Sequence, residues 1–255
     1  MKSRISSHIA LFLQAIAAAF ICYTFISVII FSSTISQGTL YNALYDFVPS
    51  IIVSISVLIT EFVLMLKHKS HLTDREYLPY IFLLITLQNY IMIPRLYNYT
   101  GNYPIYYINY FMIAARFILI LVPILLLFAS LALLGTPLPK NSSIIGISIV
   151  SSLIISALLK NDTNCITQFG GSDIYNSLFI ILIIVIYIIA FALNIYIIAS
   201  NEVTTKNIKK NISYCFLIVA NLFIVIDFDS YYLPMFGVVF FIVSNILLLV
   251  SSNNY

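Results

Sequence analysis

LFIILIIVIYIIAFAL, residues 178–193, is sixteen residues without a charge or a side-chain amide, and its continuity decides the fold class. Unbroken apolar segments that reach about 20 residues belong in a bilayer as α-helices, because the hydrocarbon core is about 30 Å thick and each helical residue rises about 1.5 Å. The other spanning architecture, a β-barrel, is built from strands of roughly ten residues in which apolar and polar side chains alternate. No such alternation is present here.

Similar runs fill the rest of the chain. Read between polar breaks, they predict helices near residues 8–32, 48–66, 77–93, 108–134, 143–159, 174–199, 211–228 and 232–250. The expected fold is all-α, a polytopic helical membrane bundle of about eight transmembrane helices, and the whole chain, 1–255, forms one transmembrane domain with no soluble domain. An eight-helix count requires Asp227-Phe228-Asp229-Ser230 to be an outer turn between the last two helices. Composition agrees: 62% of residues are hydrophobic and 8% charged, where a soluble domain carries about 25% charged residues. The first run follows Met1-Lys2-Ser3-Arg4 and is longer than the core of a cleaved signal peptide, so it reads as a retained signal anchor.

Orientation comes from Lys and Arg, which concentrate in cytoplasmic loops. With the N-terminus inside, Lys2, Arg4, Lys67, Lys69, Arg75, Lys140, Lys206, Lys209 and Lys210 fall on the cytoplasmic side, against Arg95 and Lys160 outside. Both termini are therefore expected in the cytoplasm, in a multi-pass protein of the cell membrane, plasma or inner. The outer loops are rich in tyrosine, at Tyr97, Tyr99, Tyr103, Tyr106, Tyr107, Tyr110, Tyr231 and Tyr232. Those rings suit the headgroup layer; with Arg95 and Asp46 they would otherwise form the lip of an external binding site.

Ionisable residues within such helices are costly, at least about 2.5–3.5 kcal/mol at the helix centre on insertion scales, so they turn inward and find partners or water. Glu61 lies in the second helix on a face with Ser50, Ser54, Val57 and His68; Arg116 lies in the fourth, in line with Asn109, Pro123 and Ser130. By depth, the two stand about 10 Å apart along the axis, so Arg116 is expected to approach Asp46, Asp227 or Asp229, and Glu61 to approach Lys67, His68 and Lys69. Pro123 removes a backbone hydrogen bond and frees a carbonyl one turn earlier. Gln88, Asn89, Asn194, Asn221 and Asn245 are expected to hydrogen-bond between helices, and Ser148, Ser152 and Ser156 to form a small-residue ridge that lets a neighbouring backbone approach.

No HExxH, GxSxG, Walker A, GxGxxG or CxxC motif occurs, so no catalytic residue is assigned and no metal or cofactor is expected. His68 and His71 with Asp74 are interleaved with lysine, which disfavours a metal site. Twelve basic residues spread thinly over loops give no basic stripe for nucleic acid. The partners expected are the lipid bilayer and a small polar or ionic solute. A permease-like protein follows, with Glu61, Gln88, Arg116, Pro123, Asp227 and Asp229 as solute-path residues. Two rival readings are a sensor or scaffold that docks a cytoplasmic partner protein on residues 67–76 and 201–210, and an intramembrane enzyme using Glu61 or the His68 and His71 loop.

Overall fold

The computed structural model describes residues 2–31, 37–66, 78–91, 105–134, 141–158, 177–200, 205–225 and 232–252. Among them are eight α-helices, one 3₁₀ turn and no strand: α1(Lys2–Phe31), α2(Gln37–Leu66), α3(Leu78–Gln88) continued by the turn Asn89–Ile91, α4(Ile105–Leu133), α5(Asn141–Leu158), α6(Ser177–Ala199), α7(Thr205–Val225) and α8(Tyr232–Ser252). The chain is an all-helical membrane bundle. In hydrocarbon every backbone amide and carbonyl must be satisfied within its own segment, which is why these β-branched, isoleucine-rich runs form helices despite their strand propensity in water. Among the described residues, five spans are long and apolar enough to cross a membrane: Ser7–Ser27, Phe47–Leu66, Ile180–Ala199, Ile208–Val225 and Tyr232–Ser251.

The helices close into a circuit. Neighbour contacts run α2 to α3, α3 to α4, α4 to α6, α6 to α7, α7 to α8 and α8 back to α2, with α4 also touching α7 across it. Outside the circuit, α1 packs on α2 and α3, and α5 packs on α4. The apolar core lies between the circuit helices and includes Val57, Ile81, Phe82, Ile120, Leu126, Tyr187, Leu217 and Phe241. Outward faces such as Phe12, Ile16 and Phe20 of α1 or Val150, Leu153 and Ile154 of α5 are apolar and exposed. Lipid tails are the solvent such faces require.

Adjacent pairs fix direction and depth. Gln14 of α1 meets Thr86 of α3 and Ala17 meets Tyr90, so these helices run parallel; Phe25 of α1 stacks on Phe47 of α2, which makes α2 antiparallel to both. The tightest pair is α7 with α8. Ser213 Oγ donates to the Ser244 carbonyl at 2.9 Å and Ser244 Oγ donates to the Ser213 carbonyl at 2.9 Å. Further along, Phe240 stacks between Phe216 and Phe223, and Gly237 sits directly against Ile224 and the Ala220 backbone. Helix α7 ends at Val225 and α8 begins at Tyr232, so the last two helices are separate, as the eight-helix reading requires.

Two elements differ from the sequence reading. Helix α2 begins eleven residues earlier than expected, at Gln37, and runs straight through Pro49. Asn42 and Asp46 fell outside the expected helix and Pro49 stood at its start, yet a proline costs a long helix only one internal hydrogen bond and a kink, which neighbours offset in a membrane bundle. Helix α3 is shorter than expected, with 11 residues and a 3₁₀ end. Its length of about 16 Å is roughly half the hydrocarbon core.

Candidate functional site

The end of α3 is the first feature to place. Asn89 Nδ2 donates to Ser54 Oγ of α2 at 2.9 Å, and Ser54 Oγ donates to the Ser50 carbonyl at 2.7 Å. Asn89 stands eleven residues after the start of α3 and Ser54 twelve before the end of α2, so the two helices are level at this end to within about 2 Å. Helix α3 therefore stops about 17 Å in, midway along α2, and its backbone turns into a 3₁₀ conformation inside the protein. Irregular backbone at such depth is tolerated where protein or a wet cavity covers it. Here α1 supplies cover: Gln14 Nε2 donates to Thr86 Oγ1 at 3.2 Å, Tyr90 donates to the Ala17 carbonyl at 2.9 Å, and Phe20 stacks on Tyr90.

Ser50, Ser54, Val57 and Glu61 form one buried face of α2. The spacing of four, three and four residues is helical, and it carries Glu61 into the bundle about 10 Å beyond Ser54 toward the Leu66 end. Glu61 is 2% exposed and neither carboxylate oxygen accepts a hydrogen bond. A buried carboxylate in that state is expensive, because nothing in the protein replaces its hydration. Lys67, His68 and Lys69, its expected partners, lie outside the described residues.

Arg116 is buried at 1% exposure on α4, with Pro123 and Ser130 buried on the same face. The residue is engaged with the surrounding protein. It does not meet Glu61. Counted from the same end of the bundle, Arg116 lies seventeen residues before Leu133 and Glu61 five before Leu66, an axial separation of about 18 Å rather than the expected 10 Å. The sequence reading took α4 to start at residue 108 and set Arg116 from that end alone, whereas the 29-residue helix overhangs a 30 Å core. By the same count Pro123 is level with Gln88, so the carbonyl it frees, that of buried Leu119, lies at the depth where α3 breaks. Gln88 is buried and its Oε1 has no hydrogen-bond partner. The structure thus brings Gln88 and Pro123 to one depth and keeps Glu61 and Arg116 on opposite sides of it. Asp227 and Asp229 lie outside the described residues, as do the His68 to Asp74 loop, Arg95, Tyr97, Tyr99, Tyr103 and Tyr231. Asp46 lies within α2.

Three of the five amides bridge helices as expected: Asn89 to Ser54, Asn194 to Ser130 at 2.6 Å, and Asn245 to Ser56 at 3.3 Å. Asn221 instead donates to its own helix at the Leu217 carbonyl. Ser148, Ser152 and Ser156 are fully buried on the α5 face that meets α4, so the ridge is real. The sequence reading missed Tyr187, Tyr214 and Asn211, which are fully buried and whose Tyr OH groups and Asn211 Oδ1 have no partner. Assigning tyrosines to the headgroup layer hid them. The signal was spacing: Tyr187 and Asn194 stand seven apart, and Asn211, Tyr214, Ile218 and Asn221 follow at three, four and three.

Comparison with known protein families, with curated proteins and with solved structures returns no match.

Proposed function

We propose that this protein is permease-like and binds or passes a small polar or ionic solute along the interior between α2, α3 and α4, with both termini in the cytoplasm of the cell membrane. The observation that carries the reading is Glu61, a carboxylate buried in the bundle with no hydrogen-bond partner for either oxygen. A purely structural side chain at that position gains nothing from its charge and costs the fold the burial. One and a half to two turns away along the same α2 face is the broken end of α3, with Gln88 Oε1 also unsatisfied. Interrupted helices whose ends face a polar interior recur where transporters hold substrates, and the carbonyl freed by Pro123 adds an acceptor at that depth.

Flux across liposomes containing the purified protein, for a panel of inorganic ions and small polar solutes, tests the reading. The expected result is protein-dependent flux of at least one solute that falls at least tenfold in Glu61→Gln. Flux unchanged in a Glu61→Gln, Arg116→Gln double variant removes these residues from the mechanism.

A further inference from the structure

We infer that the solute is a small monovalent cation, an alkali-metal ion or a primary ammonium, and that Glu61 is its counter-charge. The inference rests on the permease-like reading and narrows its substrate class. It comes from the kinds of buried atoms left without partners. Hydroxyls and the Arg116 side chain apart, which stands on the far side of mid-bundle from Glu61, those on the circuit helices that face the interior are oxygen acceptors: both oxygens of Glu61, Gln88 Oε1, Asn194 Oδ1, Asn211 Oδ1 and Asn245 Oδ1. Carboxylate and amide oxygens accept hydrogen bonds and coordinate cations; they donate nothing. For Asn194 and Asn245 the assignment of oxygen and nitrogen is fixed by the bonds their Nδ2 atoms donate. A layer of unmet lone pairs fits a guest that brings positive charge and donors.

Depth places several of these oxygens together. Asn245 is level with Ser56 through their hydrogen bond, and Glu61 lies five residues beyond Ser56. Ser213 is level with Ser244, which sets Asn211 about 3 Å toward the same end as Glu61. Asn194 stands five residues before the end of α6, as Glu61 does before the end of α2. The carboxylate and these amides thus occupy a layer about 8 Å deep, contributed by α2, α6, α7 and α8. The C-terminus of α3, the negative end of its dipole, points outward from that layer toward mid-bundle and favours a cation on the way in.

Charge count selects a monovalent ion. Among the described residues no three His, Cys, Asp or Glu side chains gather as metal ligands, while hard divalent cations take six to eight oxygens with several carboxylates. One carboxylate neutralises one charge. Lys210, partly buried one residue before Asn211 and itself engaged in the protein, adds positive charge to this end and further disfavours a divalent guest.

The test uses the purified full-length protein in detergent at fixed pH and chloride. Lithium, sodium, potassium and methylammonium chlorides are compared with the chloride of bulky N-methylglucamine. At least one of the four should raise the unfolding midpoint saturably, by on the order of 5 °C at about 100 times its dissociation constant. Glu61→Gln should abolish the shift. Since that variant can fail to fold, the second measurement needs none: a hydrophobic carbodiimide should modify Glu61 in the wild-type protein, read by peptide mass spectrometry, and the same cation at the same concentration should block it. Equal midpoints and equal labelling in all five salts overturn the inference. So does a shift that survives in Glu61→Gln, or protection that follows pH and ignores the cation, which would make the proton the ligand. Cation binding with no cation flux in liposomes would sink the transport reading and leave the site. Flux of a neutral or anionic solute without any cation effect would do the reverse.

Discussion

Gly237→Ala should destabilise the bundle although alanine is the better helix former. A Cβ built at Gly237 falls 2.8 Å from Ile224 Cγ1 and 3.0 Å from the Ala220 carbonyl oxygen. The first contact is with a β-branched side chain, which has few alternative rotamers; the second is with backbone, which yields only if α7 and α8 separate. Overpacking of this kind costs about 1–3 kcal/mol, against a helix-propensity gain of about 0.8–1.0 kcal/mol for replacing glycine. Steric cost wins. Gly146 supplies the control, since it is exposed on α5 and a Cβ there meets nothing within 4 Å. Gly146→Ala should be neutral or stabilising. At about 2–4 °C per kcal/mol for a chain of this size, thermal unfolding in detergent separates the two by several degrees. Ile224→Ala, which removes the nearer atom, should recover part of the loss in a double-mutant cycle. A Gly237→Ala protein as stable as Gly146→Ala would refute the packing described for α7 and α8, and with it the relative depths that place Asn211 near Glu61.

On α5, Ser152→Ala should leave stability unchanged or slightly improved, because the buried Oγ has no partner to lose, whereas Ser152→Leu should cost about 1–3 kcal/mol by forcing α5 away from α4; equal midpoints for the two would remove the ridge as a close contact. For orientation, cysteines at positions 70, 140 and 206 in a cysteine-free background should resist an impermeant thiol reagent applied outside, and those at 100 and 163 should react. The opposite pattern would invert the charge-based topology.

The fold was legible because the solvent is apolar. In hydrocarbon any polar side chain is an anomaly, so the faces of Glu61 with Ser50 and Ser54, of Arg116 with Pro123 and Ser130, and of Ser148, Ser152 and Ser156 could be read directly from spacing. Helix ends were less legible. Asn42, Asp46 and Pro49 carry loop chemistry in water, yet α2 continues through them, and nothing in the apolar run from Ile81 to Ile93 marks Asn89 as the residue where α3 turns to 3₁₀. That turn depends on Ser54 and Ala17, which are distant in the chain. Tyr187 and Tyr214 escaped because a tyrosine suits both the headgroup layer and a packed interior, and only the neighbouring helices decide between them.

Partner choice was the least legible level, for a physical reason. Helices already in lipid gain little from burying apolar faces against each other, so small contacts and single hydrogen bonds of about 0.6 kcal/mol on average select the neighbours. Asn245 bonds Ser56 across 189 residues, Gln14 bonds Thr86 across 72 and Asn194 bonds Ser130 across 64. Each amide had many serines and threonines available, and the sequence ranks none of them. The same economy gives Glu61 its weight. The amide nitrogens of Asn89, Asn194 and Asn245 each found an oxygen on another helix. A carboxylate accepts hydrogen bonds readily, yet Thr60, the residue before Glu61, donates to its own helix at the Ser56 carbonyl. Glu61 is thus the one buried acid among the described residues, and both of its oxygens stand without a hydrogen bond, which is the observation the proposed cation site rests on.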